Sequence, residues 1–344
     1  MTLKLLKEDG LKKLIEALNK ADTRVVGPKR NKAGMVTYDD VSDDAELELD
    51  EVIGRYSPKD AFFPQHETVM RYKLDGRDVH IKPETPVIKE TVLLGVRPCD
   101  AAAMISLNKV FTWDYVDTLF TERQKKATII SVACNSADES CFCTSVGFAP
   151  DGTEGSDILL KKIKKGGYLA QLITKEGEAF ATAHGSLFED APAKTDTEDI
   201  AVPAKLDIDI DKIKNWLDDK DKSWEHPLWE QLAAKCVGCG GCTFVCPTCH
   251  CFDIVDEPYG DQGKRVKNWD GCQFDHFTLH ASGHNPREHQ PQRWRNRFSC
   301  KFKIYPDRFE KKGCVGCGRC IRVCPVNLDI TEAMTEITQI ANSK

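Results

Sequence analysis

Two copies of one cysteine run constrain this 344-residue chain more than any other feature of its sequence. Residues 236–247 read CVGCGGCTFVCP, and residues 314–325 read CVGCGRCIRVCP. Both copies have the spacing C-x2-C-x2-C-x3-C-P and carry glycines at equivalent places. Three cysteines spaced three residues apart predict a tight loop around a bound metal group, and the glycines let backbone N–H groups approach the sulfurs. The proline stops the backbone from continuing toward that loop.

This spacing is the ligand run of bacterial-type [4Fe–4S] ferredoxins, in which the fourth cysteine of each run ligates the other cluster. We therefore predict two clusters with exchanged fourth ligands. The first set of ligands is Cys236, Cys239, Cys242 and Cys324, and the second set is Cys246, Cys314, Cys317 and Cys320. Two zinc sites are the competing interpretation, but zinc sites commonly use cysteine pairs that lie well apart in the sequence.

The composition predicts a folded protein with its thiols reduced. Charged residues make up 30% and hydrophobic residues 41% of the chain, and no apolar run is long enough to span a bilayer. The N-terminus has no apolar signal core, so the 16 cysteines indicate metal ligation in the cytoplasm and not disulfides. Basic residues are too few to predict nucleic-acid binding, since the net charge is −6.

A strand–helix–strand pattern precedes the cysteine runs. Residues 91–96 and 127–133 are apolar without alternation, which is typical of buried parallel strands, and the helical segment 101–111 lies between them. The predicted fold is an α/β N-terminal domain with a parallel or mixed sheet, followed by a helical-type two-cluster ferredoxin domain with a large insertion. The predicted boundaries are 1–200 for the α/β domain, 201–226 for a linker and lead-in helix, and 227–335 for the ferredoxin-like domain. We also predict an amphipathic helix over 157–165, strands over 168–174 and 178–183, and Asp100 as a helix cap.

Four cysteines gather where these two buried strands end. In parallel sheets, sites lie at the carboxyl ends of the strands, which predicts a third cluster there. This third set is Cys99, Cys134, Cys141 and Cys143. The alternative is that these thiols fill the core as small apolar groups, since free cysteine is commonly buried.

The segment between the two runs holds the last unassigned cysteines and a basic tract. This fourth set is Cys249, Cys251, Cys272 and Cys300. Either a further metal site or structural thiols would explain it. The spacing of His276, His280 and His284 would place them on one face of a helix as an alternative metal site. The basic tract comprises Arg287, Arg293, Arg295, Arg297, Lys301 and Lys303, and it is either a solvated face or an offset to cluster charge.

Several motifs resemble those of one family over residues 57–330. They are GVRPCD at 95–100, CFCTSVG at 141–147, CPTCHCFD at 246–253 and WDGC at 269–272. The chain resembles the 4Fe–4S dicluster subunits of cytoplasmic redox complexes, which include the beta subunit of NiFe sulfhydrogenase and an iron–sulfur subunit of anaerobic sulfite reductase. The resemblance implies an electron-transfer subunit that also carries the third cluster. It implies a flavoprotein partner that binds FAD and NAD(P)H, and a catalytic partner of the NiFe hydrogenase, sulfite reductase or heterodisulfide-reductase-like type.

The alternative hypothesis is a catalytic subunit whose N-terminal domain binds flavin or substrate. The sequence has no G-x-G-x-x-G after a strand, no P-loop and no Ser/His/Asp arrangement that would support it. We therefore expect a chain that is not an enzyme by itself and that does not insert into a membrane.

Overall fold

The computed structural model describes residues 2–192 and 194–343. Its strands are β1 (Thr2–Leu6), β2 (Arg24–Arg30), β3 (Val36–Asp40), β4 (His66–Asp75), β5 (Asp78–Pro83), β6 (Thr91–Val96), β7 (Ala127–Val132), β8 (Ile158–Lys162), β9 (Tyr168–Leu172), β10 (Phe188–Asp190), β11 (Phe252–Tyr259) and β12 (Gln262–Trp269). Its helices are α1 (Gly10–Lys20), α2 (Pro98–Phe111), α3 (Thr118–Lys125), α4 (Lys175–Ala183), α5 (Ile210–Asp218), α6 (Lys220–Ser223), α7 (Leu228–Lys235), α8 (Gly241–Phe244), α9 (Gln290–Ser299), α10 (Tyr305–Phe309), α11 (Arg319–Arg322) and α12 (Ile330–Asn342).

An eight-stranded mixed sheet organises the N-terminal part, in the order β10-β1-β9-β8-β7-β6-β2-β3. The pairs β2–β6, β6–β7 and β7–β8 are parallel, and the outer pairs are antiparallel. Strands β6 and β7 lie centrally because their apolar side chains are covered on both faces. The prediction of an α/β region with a mixed sheet is confirmed.

Helices cover both faces of this sheet. On one face, Leu14 and Ile15 of the amphipathic helix α1 pack with Ile130 and Leu160 of the sheet. On the other face, α2 buries Leu107 in a separate core. Both helices follow strands in the chain, as the buried-strand pattern predicts for α/β architecture.

Three local predictions were wrong. Residues 157–165 contain the strand β8 and not a helix, because residues 158–160 fill a central sheet position where both faces are buried. Residues 178–183 belong to the helix α4, whose start is capped by the Thr174 hydroxyl accepting from Gly177 N at 3.0 Å. Asp100 does not cap α2; it lies inside the first turn and bonds Arg319.

A second sheet joins the two parts of the chain. Its order is β11-β12-β4-β5, and every pair in it is antiparallel. The hairpin β11–β12 belongs to the predicted insertion, whereas β4 and β5 belong to the N-terminal part. Hydrogen bonds between β4 and β12 thus connect the predicted α/β domain with the predicted ferredoxin-like domain. The domain boundaries themselves stay a prediction.

The C-terminal helices pack around their own apolar core. Phe298, Met334 and Ile337 are fully buried there, together with the aromatic rings of α5 and α7. Helix α9 continues through a π-helical turn, Cys300–Ile304, into α10. Among the described residues, no helix combines the length and apolar character that crossing a bilayer requires.

Candidate metal centre

The two cysteine runs fold into matching loops. Each run contains a short helix, α8 or α11, that begins directly after a glycine in the left-handed region, and the two helices contact each other. The glycines Gly238 and Gly316 occupy equivalent places and have nearly equal φ values of 66° and 65°. The sequence repeat is therefore a repeat of backbone conformation, as expected if both loops wrap the same kind of group.

The first set lines one cavity of about 470 Å³. Backbone N–H groups already point at its sulfurs: Gly238 N donates to Cys236 Sγ at 3.4 Å, and Leu328 N donates to Cys324 Sγ at 3.2 Å. Cys239 is exposed, so this cavity opens close to the protein surface. N–H groups in these positions would donate to the sulfurs of a bound cluster, and such hydrogen bonds are one of the factors that set cluster potential.

The second set lies deep between the other sites. Burial raises the pKa of Cys314 and Cys317 to about 11 and that of Cys320 to about 12, and each of the three is further raised by neighbouring thiols of the same set. Because metal ligation requires thiolates, binding of a cluster here must release these protons.

The third set surrounds a cavity of about 400 Å³ at the carboxyl ends of β6 and β7. Arg322 Nη2 donates to Cys141 Sγ at 3.3 Å, and Cys134 is held by its N–H bond to Pro150 O at 2.9 Å. The fourth set lines a different cavity, also of about 400 Å³. The structure therefore gathers the first, third and fourth sets around one cavity each, and it places Cys324 of the second run beside the first three cysteines of the first run. The assignment of these cysteines as cluster ligands stays a prediction.

The second set contacts the neighbouring sites directly. Cys317 also lines the cavity of the third set, and Cys320 also lines the cavity of the first set. The second set is therefore next to both cavities.

Gly316 permits this close approach. A Cβ at Gly316 would lie 2.5 Å from Cys143 Cα, whereas a Cβ at Gly238 would meet only Gln290 Oε1, at 3.7 Å. Gly316→Ala is expected to lower the free energy of unfolding by about 1 to 3 kcal/mol more than Gly238→Ala does. Both glycines have left-handed φ values, but only the Cβ added at residue 316 would overlap a neighbouring backbone. Anaerobic denaturation of the two variants measures this difference. We also expect Gly316→Ala to lose iron from the third set, and equal stability and iron content in the two variants would contradict the prediction.

Two cations of the basic tract face the cysteines, and the others do not. Arg297 and Lys301 are 2% and 5% exposed and lie one helical turn apart. Their spacing did not single them out, because Arg293 and Arg297 are also four residues apart. Arg295 instead stacks on Trp224, and Lys303 pairs with Asp218 and Asp307.

Sequence reasoning missed a third buried cation. Lys59 donates to Cys246 O and Cys249 O, both at 3.0 Å, and lies 3.9 Å above the Trp269 ring. No local pattern around residue 59 marks it, because its partners lie almost 190 residues further along the chain.

The three-histidine alternative was wrong. His276 begins a short 3-10 turn that ends at Thr278, so the segment does not form the helix that would align the three rings. Within residues 2–192 and 194–343, no three His, Cys, Asp or Glu side chains surround a position for one metal ion. A [4Fe–4S] cluster differs from that case, because each cysteine binds a separate iron.

Comparison with known proteins yields one family profile and one full-length relative. A profile described as "4Fe-4S dicluster domain" matches residues 235–328, which span both runs and the segment between them. Sulfhydrogenase 2 subunit beta of Pyrococcus furiosus is 30% identical over 325 residues, covering 92% of each chain. No solved structure matches this chain.

Proposed function

We propose that this chain, which belongs to the family of the sulfhydrogenase beta subunits, relays electrons between two partner subunits. One partner is a flavoprotein that binds FAD and NAD(P)H. The other is a catalytic redox subunit of the NiFe hydrogenase, sulfite reductase or heterodisulfide-reductase-like type. When bound, [4Fe–4S] clusters exchange single electrons, whereas oxidation of a nicotinamide needs a flavin to separate its electron pair.

One observation supports this proposal: the second set of cysteines adjoins both the first set and the third set. Cys317 borders the third cavity and Cys320 borders the first. We assign a cluster to each of these three sets. Cys239 is exposed, so the first set lies near the protein surface, where a partner subunit would dock.

The chain's own residues would hold these clusters in their reduced forms. Burial opposes the charge of Lys301, but the thiolates of Cys246 and Cys249 raise its pKa well above the usual value, so it stays protonated. Arg297 is held charged in the same way, and the thiolates of Cys242 and Cys320 are the main cause. Fixed positive charges beside clusters favour the more negative, reduced state.

Two finer assignments complete the proposal. We assign residues 227–335 to the helical type of two-cluster domain, since α7 leads directly into Cys236. We place the complex in the cytoplasm, where thiols remain reduced and available for iron.

Purification of the full chain without oxygen tests the proposal. We expect at least about 12 iron atoms and as many acid-labile sulfides per chain, because each of three clusters contains four of each. We expect no bound flavin. Cys99→Ala is expected to lose about four of these iron atoms, since a single ligand set is broken.

Ser136→Ala is the matched control for Cys99→Ala, because Ser136 lines the same cavity without a thiol. It should retain the iron content of the unaltered chain. Bound FAD, or reduction of a dye by NAD(P)H with the isolated chain alone, would show a catalytic subunit instead of a relay.

A further inference from the structure

The fourth set converges on one cavity from three separate parts of the chain. Cys249 and Cys251 follow the first run, Cys272 follows β12, and Cys300 begins the π-helical turn. All four line one cavity, just as the cysteines of the third set line theirs. Thiols that only filled core space would be packed against apolar side chains, since protein interiors contain few voids.

The hairpin β11–β12 brings two of these cysteines together. Phe252 and Trp269 are paired across the open end of the hairpin, and Asp270 N donates to Cys251 O at 3.0 Å. The chain therefore returns to Cys251 just before Cys272, and both cysteines line the cavity. The hairpin between Cys251 and Cys272 therefore fixes the distance between these two cysteines.

Cys300 is positioned by the helix on the opposite wall. The π-helical turn begins at this residue, and such turns within longer helices are frequent at functional sites. The next helix supplies Tyr305, whose hydroxyl lies 2.9 Å from Thr248 O and 2.7 Å from His250 Nδ1. These bonds tie the wall that carries Cys300 to the loop that carries Cys249 and Cys251.

Three buried cations surround the cavity without a carboxylate. Lys301 Nζ lies 3.7 Å from Cys249 Sγ, and Lys59 binds the Cys249 carbonyl. Arg297 lines the cavity, and its Nε has no hydrogen-bond partner among the described residues. In that part of the chain, the bonds of these three cations go to sulfurs, hydroxyls and carbonyls. A buried cation without a negative partner is strongly destabilising. Arg297 also lines the first cavity and Lys301 also donates to Cys246 Sγ, so an anionic group in the fourth cavity would meet this requirement together with the clusters of the first and second sets.

We propose that Cys249, Cys251, Cys272 and Cys300 bind a fourth [4Fe–4S] cluster. A cluster held by four thiolates has a net negative charge, which is the charge that the surrounding cations require. This inference rests on the proposed function, because the cluster would extend the same relay.

The fourth site lies beside both ferredoxin sites. Lys301 Nζ donates to Cys246 Sγ of the second set at 3.2 Å and to Cys249 Sγ of the fourth set at 3.7 Å. On the other side, Gln290 donates to Cys236 Sγ at 3.3 Å and to Gln273 Oε1 at 2.9 Å. The second set therefore has the first, third and fourth sets as neighbours, which makes the relay branched.

The test compares metal content in the full-length protein and its Cys251→Ala variant, both purified without oxygen. We expect about 16 iron atoms per chain in the unaltered protein and about 12 in the variant, a loss of one quarter, with no zinc in either. Phe277→Leu is the control, because Phe277 lines the same cavity and is no ligand. The double variant Cys99→Ala/Cys251→Ala is expected to retain about eight iron atoms.

Three results would overturn the inference while leaving the proposed function intact. One is an iron content of about 12 in both the unaltered chain and Cys251→Ala. Another is a zinc ion that is lost in Cys251→Ala. The third is a disulfide between members of the fourth set. An unaltered chain with clearly fewer than about 12 iron atoms would instead overturn the proposed function itself.

A second measurement needs no variant. Alkylation of the native protein, followed by peptide mass spectrometry, should leave the four cysteines of the fourth set unmodified until iron is removed by a chelator under denaturing conditions. Rapid alkylation of these cysteines in the native, iron-loaded protein would overturn the inference even if Cys251→Ala failed to fold.

Discussion

Asp100→Asn is expected to lower the free energy of unfolding by about 3 to 5 kcal/mol, because it leaves the Arg319 guanidinium buried without a charged partner. The two side chains are 0% and 1% exposed, and Arg319 Nη2 donates to Asp100 Oδ2 at 2.7 Å. Arg319 also donates from Nε to Gly54 O at 2.8 Å. The pair joins α2 to the loop between Cys317 and Cys320, so we also expect iron loss from the second set. Anaerobic guanidinium denaturation, followed by circular dichroism, measures the change.

Asp256→Asn is the matched control for this prediction. Asp256 also binds an arginine through two bonds, from Arg265 Nε at 2.8 Å and Nη2 at 2.7 Å, but both side chains are more than 40% exposed. Exposed pairs contribute about 0.2 to 1 kcal/mol, so this variant should be nearly as stable as the unaltered chain. Equal losses in Asp100→Asn and Asp256→Asn would contradict the role assigned to the buried pair.

Lys301→Met is expected to lower the midpoint potential of the second cluster. Lys301 Nζ lies 3.2 Å from Cys246 Sγ and is fixed by Gly313 O at 2.9 Å. Removing one charge about 8 Å from the added electron, at an effective dielectric constant of about 20, costs about 2 kcal/mol, or roughly 90 mV for a one-electron step. Methionine preserves most of the side-chain volume. A redox titration followed by electron paramagnetic resonance measures the potential.

Lys303→Met is the control for Lys301→Met, because Lys303 lies in the same π-helical turn but points to Asp218 and Asp307. We expect its cluster potentials to match those of the unaltered chain. Identical potentials in Lys301→Met, with full iron content, would contradict an electrostatic role for Lys301. Loss of iron in Lys301→Met alone would assign it to holding the site together.

The chemistry of the candidate centre could be predicted from the sequence because ligand spacing is a local property. The runs at 236–247 and 314–325 specify a loop whose first three cysteines face one group, and the backbone of Gly238 and Gly316 repeats accordingly. The strands β6 and β7 could also be predicted from the sequence. Both are buried on both faces, so each is a continuous apolar run that is recognised without knowledge of its neighbours.

Short amphipathic segments could not be assigned in the same way. Residues 158–160 are apolar in a stretch that suits either a helix or a strand, and the neighbours β7 and β9 decided for a strand. Residues 178–183 became helical because Thr174 supplies a cap and the sheet has no space for a further strand at that point. Local propensity was weaker than tertiary packing in both segments.

By itself, the sequence determined the number of cysteines, the repeat and the kind of group they bind. Only the tertiary structure decided which sets are neighbours. Cys317 borders the third cavity, Lys301 lies between Cys246 and Cys249, and Asp100 pairs with Arg319 across 219 residues of chain. The ability of the cysteines to bind a metal cluster could be predicted from residues a few positions apart. The electrostatic field and the neighbours of each site depend on groups that meet only when the chain folds.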